Sequence, residues 1–320
     1  MTFKSIIAAA VALPMLATNA LALDMGASDK TIKLAINEWT GQHLTTRVAG
    51  AVLERAGYSV EYVTAGYTPQ FIAIGDGELH ATLEIWTSNL PGQYADIEAS
   101  GKIKDIGDLG LNAREGVLYP VHMKEMCPGL PDWEALNECA AKFATVDTLP
   151  QGRLLDYPAD WGSPGKDRLE AMGMNFAAIP AGSEGALITE LEASIKKKSP
   201  LLMTFWQPHW ALSEYETEWV ALPAGDDACY NDASWGVNPD ATGDCDFSPT
   251  RIFKVVWSGF DSTWPMAGEI LKNYSMDAND QQLMMAAVDS RGEDINKVVD
   301  EWINANSAAV DSLIAAAKAK

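Results

Sequence analysis

Along the chain, apolar positions switch repeatedly between a period near two and a period near 3.6, the marks of strands and amphipathic helices. Thr31–Ile36 alternates as a strand, and a helical pattern follows from His43 to Ala56, closed by Gly57. Tyr58–Val63 is a second strand, Thr68–Ile74 restarts a helix, and Ala81–Trp86 is a third strand. The order recurs with a short strand at Arg153–Asp156, a helix from Gly165 to Met172 and a second helix from Ser183 to Lys197. In the latter, Leu187, Leu191 and Ile195 step by four, and the apolar strand Leu201–Trp206 follows. The tail reads as helices at Pro265–Asn273, Asp280–Val288 and Asp294–Ala317. Strands alternating with helices of this length predict an α/β fold with mainly parallel sheets. Two such units with no low-complexity linker predict two lobes joined by short crossings, although the sequence carries no sustained internal repeat.

The ends of this pattern sort the chain into parts. Lys4, the apolar run Ile6–Leu16 and the exit Ala20-Leu21-Ala22 have the three parts of a secretory signal peptide, so residues 1–22 are expected to be cleaved after Ala22. Thr18-Asn19 interrupts the run too early for a membrane span, which needs about 20 apolar residues. Residues 223–249 are turn-rich and acidic and form an excursion from the main fold. The expected division is lobe 1 over 23–115, lobe 2 over 116–207, and the rest of lobe 1 over 208–320, excursion included.

Charge narrows the function. Forty-four acidic against 23 basic residues leave a formal charge of −21, without the basic footprint that nucleic-acid binding requires. The four cysteines form two local groups, Cys127 with Cys139 and Cys229 with Cys245. In an exported protein such grouping reads as disulfides; of the three pairings, proximity favours 127–139 with 229–245. Zinc is not expected, because there is no C-x-x-C and His43, His80, His122 and His209 lack ligand spacing.

Catalytic motifs are absent: there is no G-x-S-x-G, H-E-x-x-H or G-x-x-x-x-G-K-[ST]. The tryptophans say more. Trp39 follows the first strand, Trp86 ends the third, Trp161 follows the strand at 153–156, and Trp206 ends the strand at 201–206. In open α/β sheets, ligands bind outside the carboxyl ends of the strands. Four indoles at such ends, two from each unit, therefore predict one aromatic crevice between lobes. An indole face is negative, and a quaternary ammonium gains from it both by methyl contact and by cation–π attraction, about 0.5–2 kcal/mol per ring.

Four segments carry a family resemblance: Asn37-Glu-Trp-Thr-Gly-Gln42, Gly66-Tyr-Thr-Pro-Gln-Phe71, Glu84-Ile-Trp86 and Phe205-Trp-Gln-Pro-His-Trp210. They resemble the glycine betaine/proline betaine/choline substrate-binding family of ABC importers, over essentially the whole mature chain. The resemblance implies a two-lobed periplasmic binding protein of the type II, Venus-flytrap kind that closes on its ligand. It also implies an inner-membrane permease with a cytoplasmic ATPase as partner, a monomeric chain and no catalytic cofactor. Within the family, Glu115 in Asn112-Ala-Arg-Glu-Gly-Val, the Cys127–Cys139 insertion and the acidic excursion are most similar to the trimethylamine N-oxide-binding proteins of marine bacteria. That similarity implies that Trp39, Trp86, Trp161 and Trp206 form the cage and that Glu115 faces the ammonium group, with Tyr119, Tyr157 and Trp210 as further candidates. Binding of glycine betaine or choline is the alternative, and an enzyme acting on methylated amines is the rival from another class.

The excursion offers a second site. Asp226, Asp227, Asn231, Asp232, Asn238, Asp240, Asp244 and Asp246 supply the hard oxygens calcium takes, without an EF-hand pattern. The resembling proteins imply a structural calcium there.

Overall fold

The computed structural model describes residues 23–320; the expected signal peptide lies outside the described residues. Two five-stranded sheets organise the chain. The first contains β1 (Ile32–Ile36), β2 (Val60–Thr64), β3 (Ala81–Trp86), β4 (Ile103–Asp108) and β10 (Ile252–Trp257), in the order β2-β1-β3-β10-β4. The second contains β5 (Arg114–Pro120), β6 (Gly152–Asp156), β7 (Phe176–Pro180), β8 (Met203–Gln207) and β9 (Thr217–Trp219), in the order β7-β6-β8-β5-β9. In each sheet three successive strands run parallel in the order second-first-third. The next strand lies antiparallel beside the third, β10 against β3 and β5 against β8. The two lobes thus repeat one topology that no sequence repeat discloses.

The expected boundaries shift. Glu115 already lies within β5, paired with Trp206 of β8, so the first crossing falls between Asp108 and Arg114. The chain also does not return to the first lobe at 208: β9 pairs with β5, and the acidic excursion packs on the second lobe. Arg168 donates to Gly243 O and stacks on Tyr230 and Phe247; Asn238 donates to Ala171 O at 2.7 Å. Phe247 packs against the second lobe's own core. Return to the first sheet comes only at Ile252.

Local chemistry explains the elements that place the site. The helix Thr40–Arg55 starts immediately after Trp39 and buries Leu44, Val48, Val52 and Leu53 on one face. It ends where Gly57 takes φ +102°, a left-handed turn that glycine tolerates without steric penalty. The short helix Pro164–Ala171 begins with Pro at its first turn. A Cβ on Gly165 would overlap Thr204 Oγ1 and crowd Asp156, so glycine permits that close approach. Asp156, buried at the end of β6, accepts from Thr204 Oγ1, Lys166 N and Tyr157 N, which ties helix, strand and site loop together. Burial raises the Asp156 pKa, and these donors oppose the rise. The expected helix over 294–317 is two helices, Ile295–Ala305 and Ser307–Lys318, parted at Asn306. Both cysteine pairs close, Cys127–Cys139 with Cα atoms 5.9 Å apart and Cys229–Cys245 at 6.4 Å. Among the described residues no helix is long and apolar enough to cross a membrane.

Candidate functional site

The carboxyl ends of β1 and β3 face those of β6 and β8, and the crevice between them is closed and aromatic. Trp39, Tyr67, Trp86, Asn89, Glu115, Tyr157, Trp161 and Trp206 line one small cavity, about 20 Å³ of space open to the centre of a water-sized sphere. The four indoles are each only 5 % exposed. Trp39 and Trp161 meet across the lobes with ring centroids 5.2 Å apart, and Trp161 meets Trp206 at 5.8 Å, both edge to face. Tyr157 stands 5.6 Å from Trp206 and 5.9 Å from Trp161, while Tyr67 stands 5.8 Å from Trp39. Edge-to-face packing suits ring quadrupoles and fixes each ring's plane.

Glu115 enters because β5 runs antiparallel to β8. Its direct partner there is Trp206, so both side chains leave the sheet on one face. The carboxylate is 2 % exposed and accepts from Asn89 Nδ2 of the opposite lobe at 3.4 Å and from Thr250 Oγ1 of the return crossing at 3.1 Å. Burial pushes its pKa up, opposed by neutral donors; no Lys, Arg or His lines the cavity among the described residues. The buried Tyr157 hydroxyl lies beside Glu115, without ideal hydrogen-bond geometry, and is one of the groups that oppose the rise. Trp161 Nε1 and Asn89 Oδ1 are buried without partners.

A second carboxylate stands behind the cage. Glu84, in the middle of the fully buried β3, accepts from Trp39 Nε1 at 2.9 Å and Trp86 Nε1 at 3.3 Å through Oε1. Its Oε2 accepts from Thr45 Oγ1 and Gln281 Nε2, each at 2.8 Å. Desolvation raises its pKa against these four bonds.

The lobes are latched beside the cage. Glu184 Oε2 accepts from Thr40 N at 2.8 Å, and its Oε1 lies 3.1 Å from His209 Nε2. Because His209 Nδ1 accepts from Ala211 N, Nε2 carries the proton and donates to Glu184. Asp289, in a π turn over Ala286–Ser290, accepts from Thr40 Oγ1 at 2.7 Å and Trp210 Nε1 at 3.0 Å. Trp210 is therefore a latch residue and not part of the cavity wall. Tyr119 is not in the cavity either. It shares a face of β5 with Glu115 but lies about 13 Å further along the strand, within the second lobe's core, where it donates to Glu218.

Tyr157 does line the cavity, as expected. Tyr67, Asn89 and Glu84 were not foreseen. Tyr67 follows the end of β2, the same placement that singled out the tryptophans, and would have been found by counting all aromatics at strand ends. Glu84 is readable as a lone acid in an apolar strand, two residues before Trp86 and on the same face. Asn89 reaches the site only through the turn after β3 and left no sequence signal.

The acidic excursion is arranged otherwise. Asp226 caps the turn Asp227–Asn231, Asp232 Oδ1 accepts from Ser234 N and Oγ, and Asp246 Oδ1 accepts from Phe247 N. Among the described residues no three His, Cys, Asp or Glu side chains gather as a metal cluster. Asp244 differs from its neighbours: fully buried, it accepts from Asn238 N through Oδ2 and leaves Oδ1 unpartnered.

Comparison with known proteins agrees with this architecture. The chain is 28 % identical over 288 residues to the trimethylamine N-oxide-binding protein of Pelagibacter ubique, covering 87 % of this chain and 89 % of that one. It is 22 % identical over 315 residues to the glycine betaine-binding periplasmic protein OusX of Dickeya dadantii, covering 92 % and 91 %. Among solved structures, a choline-binding protein of an ABC transporter in complex with choline superposes with a TM-score of 0.71 at 17 % identity, over 91 % of this chain and 93 % of that one. Lactococcal OpuAC, closed on glycine betaine, superposes at 0.68 with 16 % identity, over 89 % and 100 %. Residues 30–305 match the family model for the substrate-binding domain of ABC-type glycine betaine transport systems, and the chain belongs to that family.

Proposed function

We propose that this chain captures trimethylamine N-oxide, or a similarly compact methylated ammonium compound, in the periplasm and delivers it to an inner-membrane permease driven by a cytoplasmic ATPase. It acts as a monomer, without catalysis, after loss of residues 1–22. The observation that carries this is the cavity wall: four indoles, two tyrosines, an asparagine and a buried carboxylate, with no cation among them. A trimethylated nitrogen fits the rings by cation–π attraction. A ligand carboxylate, by contrast, calls for a cation or several aimed N–H donors; no cation lines this cavity, and Glu115 disfavours a second carboxylate there. The unpartnered Trp161 N–H is a donor suited to a single oxygen on the ligand. The similarity to the Pelagibacter ubique protein supports the same ligand. Titration of intrinsic tryptophan fluorescence with trimethylamine N-oxide, glycine betaine, choline and carnitine tests the assignment. Saturable change with the first is expected, while turnover of any of them would instead make the protein an enzyme.

A structural calcium in the acidic excursion is a separate proposal, supported by the buried, unpartnered Asp244 Oδ1 and by the oxygen-rich donor set of residues 226–246. Since most of those carboxylates already accept from nearby backbone N–H groups, Asp244 would be the residue that holds the ion. Binding to the folded state raises stability by mass action. Chelator should lower the melting temperature by several degrees and added calcium should restore it; an unchanged melting curve means no calcium is bound.

A further inference from the structure

We infer that Glu84 is a positioning and specificity residue that gives the cage its preference for a full positive charge, acting through the indoles of Trp39 and Trp86 without touching the ligand. Resting on the cage function proposed above, this inference concerns how that cage discriminates.

Its ground is an imbalance. A carboxylate in the interior is expensive unless it is paired with a cation, yet all four donors on Glu84 are neutral: two indoles, a hydroxyl and an amide. Stability alone would favour a neutral side chain in β3, whose other residues are equally buried. Unbalanced buried charge concentrates at functional sites. The geometry points the imbalance at the cage. Thr82, Glu84 and Trp86 share a face of β3, and both N–H groups held by Oε1 belong to rings that line the cavity. An indole N–H that donates to an anion is polarised, so electron density moves into the ring and its face becomes more negative. The charge itself also sits in a water-free, low-dielretric environment, where Coulomb attraction to a cation in the cage is far stronger than in water. Together with Glu115 on the opposite side, Glu84 sets the cavity between two carboxylates.

Glu84→Gln separates charge from geometry. The amide oxygen can still accept from both indoles, while its NH₂ can donate to the Thr45 hydroxyl or to a flipped Gln281 amide. Glu84→Asp does the reverse, keeping the charge and disturbing the geometry. The probes are tetramethylammonium, a full cation, and trimethylamine N-oxide, whose own oxygen offsets its charge. By calorimetry, Glu84→Gln should lose at least about tenfold more affinity for tetramethylammonium than for trimethylamine N-oxide. Glu84→Asp should weaken both probes about equally and so keep the wild-type ratio. A Glu84→Gln protein with the wild-type ratio overturns the inference, as does a Glu84→Asp protein that loses the ratio; the second result decides the matter if Glu84→Gln does not fold. Wild-type protein that takes trimethylamine N-oxide but not tetramethylammonium also overturns it and leaves the cage function standing. Failure on both probes overturns the cage function itself.

Discussion

The first lobe holds its half of the cage by hydrogen bonds, and the second holds its half by packing. Trp39 and Trp86 both end on Glu84, which is fixed in turn by Thr45 and Gln281. Trp161 and Tyr157 pack edge to face on Trp206 and at a tilt on one another, and the Tyr157 hydroxyl lies against Glu115, while the Trp161 N–H has no partner. The indole N–H groups of the first half are thus partnered, whereas that of Trp161 in the second half is not.

The comparison breaks most visibly on truncation. Trp39→Ala, Trp86→Ala, Trp161→Ala and Trp206→Ala each remove a ring worth up to about 2 kcal/mol, or about thirtyfold in affinity. The first two should also destabilise the fold, since each strips a donor from the buried Glu84. Trp133→Ala, away from the cavity, should bind normally. A folded Trp161→Ala protein with full affinity would remove the second lobe from the site.

Phenylalanine sharpens the contrast by keeping a ring and deleting the N–H. Trp39→Phe leaves the buried Glu84 short of a donor and should lower stability by about 1–3 kcal/mol in chemical denaturation. Trp161→Phe deletes an N–H that has no partner, so stability should hold while trimethylamine N-oxide affinity falls severalfold. Equal stability losses in the two variants would erase the distinction between the lobes.

The smallest expected effect is on pH. Burial raises the pKa of Glu84 and of Glu115, so the folded chain keeps protons that the unfolded chain has already lost. Their contribution to stability is full below the unfolded value, about 4.5, and is lost as pH rises through the folded values. A cationic ligand favours the ionised form, so tetramethylammonium affinity should rise across the same window while the unliganded melting temperature falls. Parallel pH profiles for melting and binding would mean that neither acid faces the cation.

Much of this was readable in the sequence, and the failures have physical causes. β1, β3, β6 and β8 announce themselves because central parallel strands are buried on both faces and read as apolar runs. The tryptophans at their ends then fall into place together. β4 was not anticipated because it is an edge strand with mostly exposed residues, Ile103-Lys-Asp-Ile-Gly-Asp108. β10 has a lysine in its middle, made tolerable only by long-range bonds from Lys254 Nζ to the carbonyls of Lys272 and Tyr274. Tyr119 and Trp210 were candidates by resemblance, but strand direction carries the first out of the crevice and the second turns to Asp289. Glu84 shows the opposite error: its partners Trp39, Thr45 and Gln281 are 45, 39 and 197 residues away, so only the folded chain reveals why an acid stands in β3.

The central claim is that the cavity is built for a compact methylated nitrogen and against a ligand carboxylate. Calorimetric titration of the wild-type protein with trimethylamine N-oxide and glycine betaine tests it most directly. Five heavy atoms at a ceiling of about 1.5 kcal/mol each allow about 7.5 kcal/mol, which places the best attainable affinity in the low micromolar range. Micromolar binding of trimethylamine N-oxide, with glycine betaine at least about tenfold weaker, is the predicted result. Glycine betaine binding as tightly or more tightly would contradict it and mean that the wall's neutral donors suffice for a carboxylate without a cation.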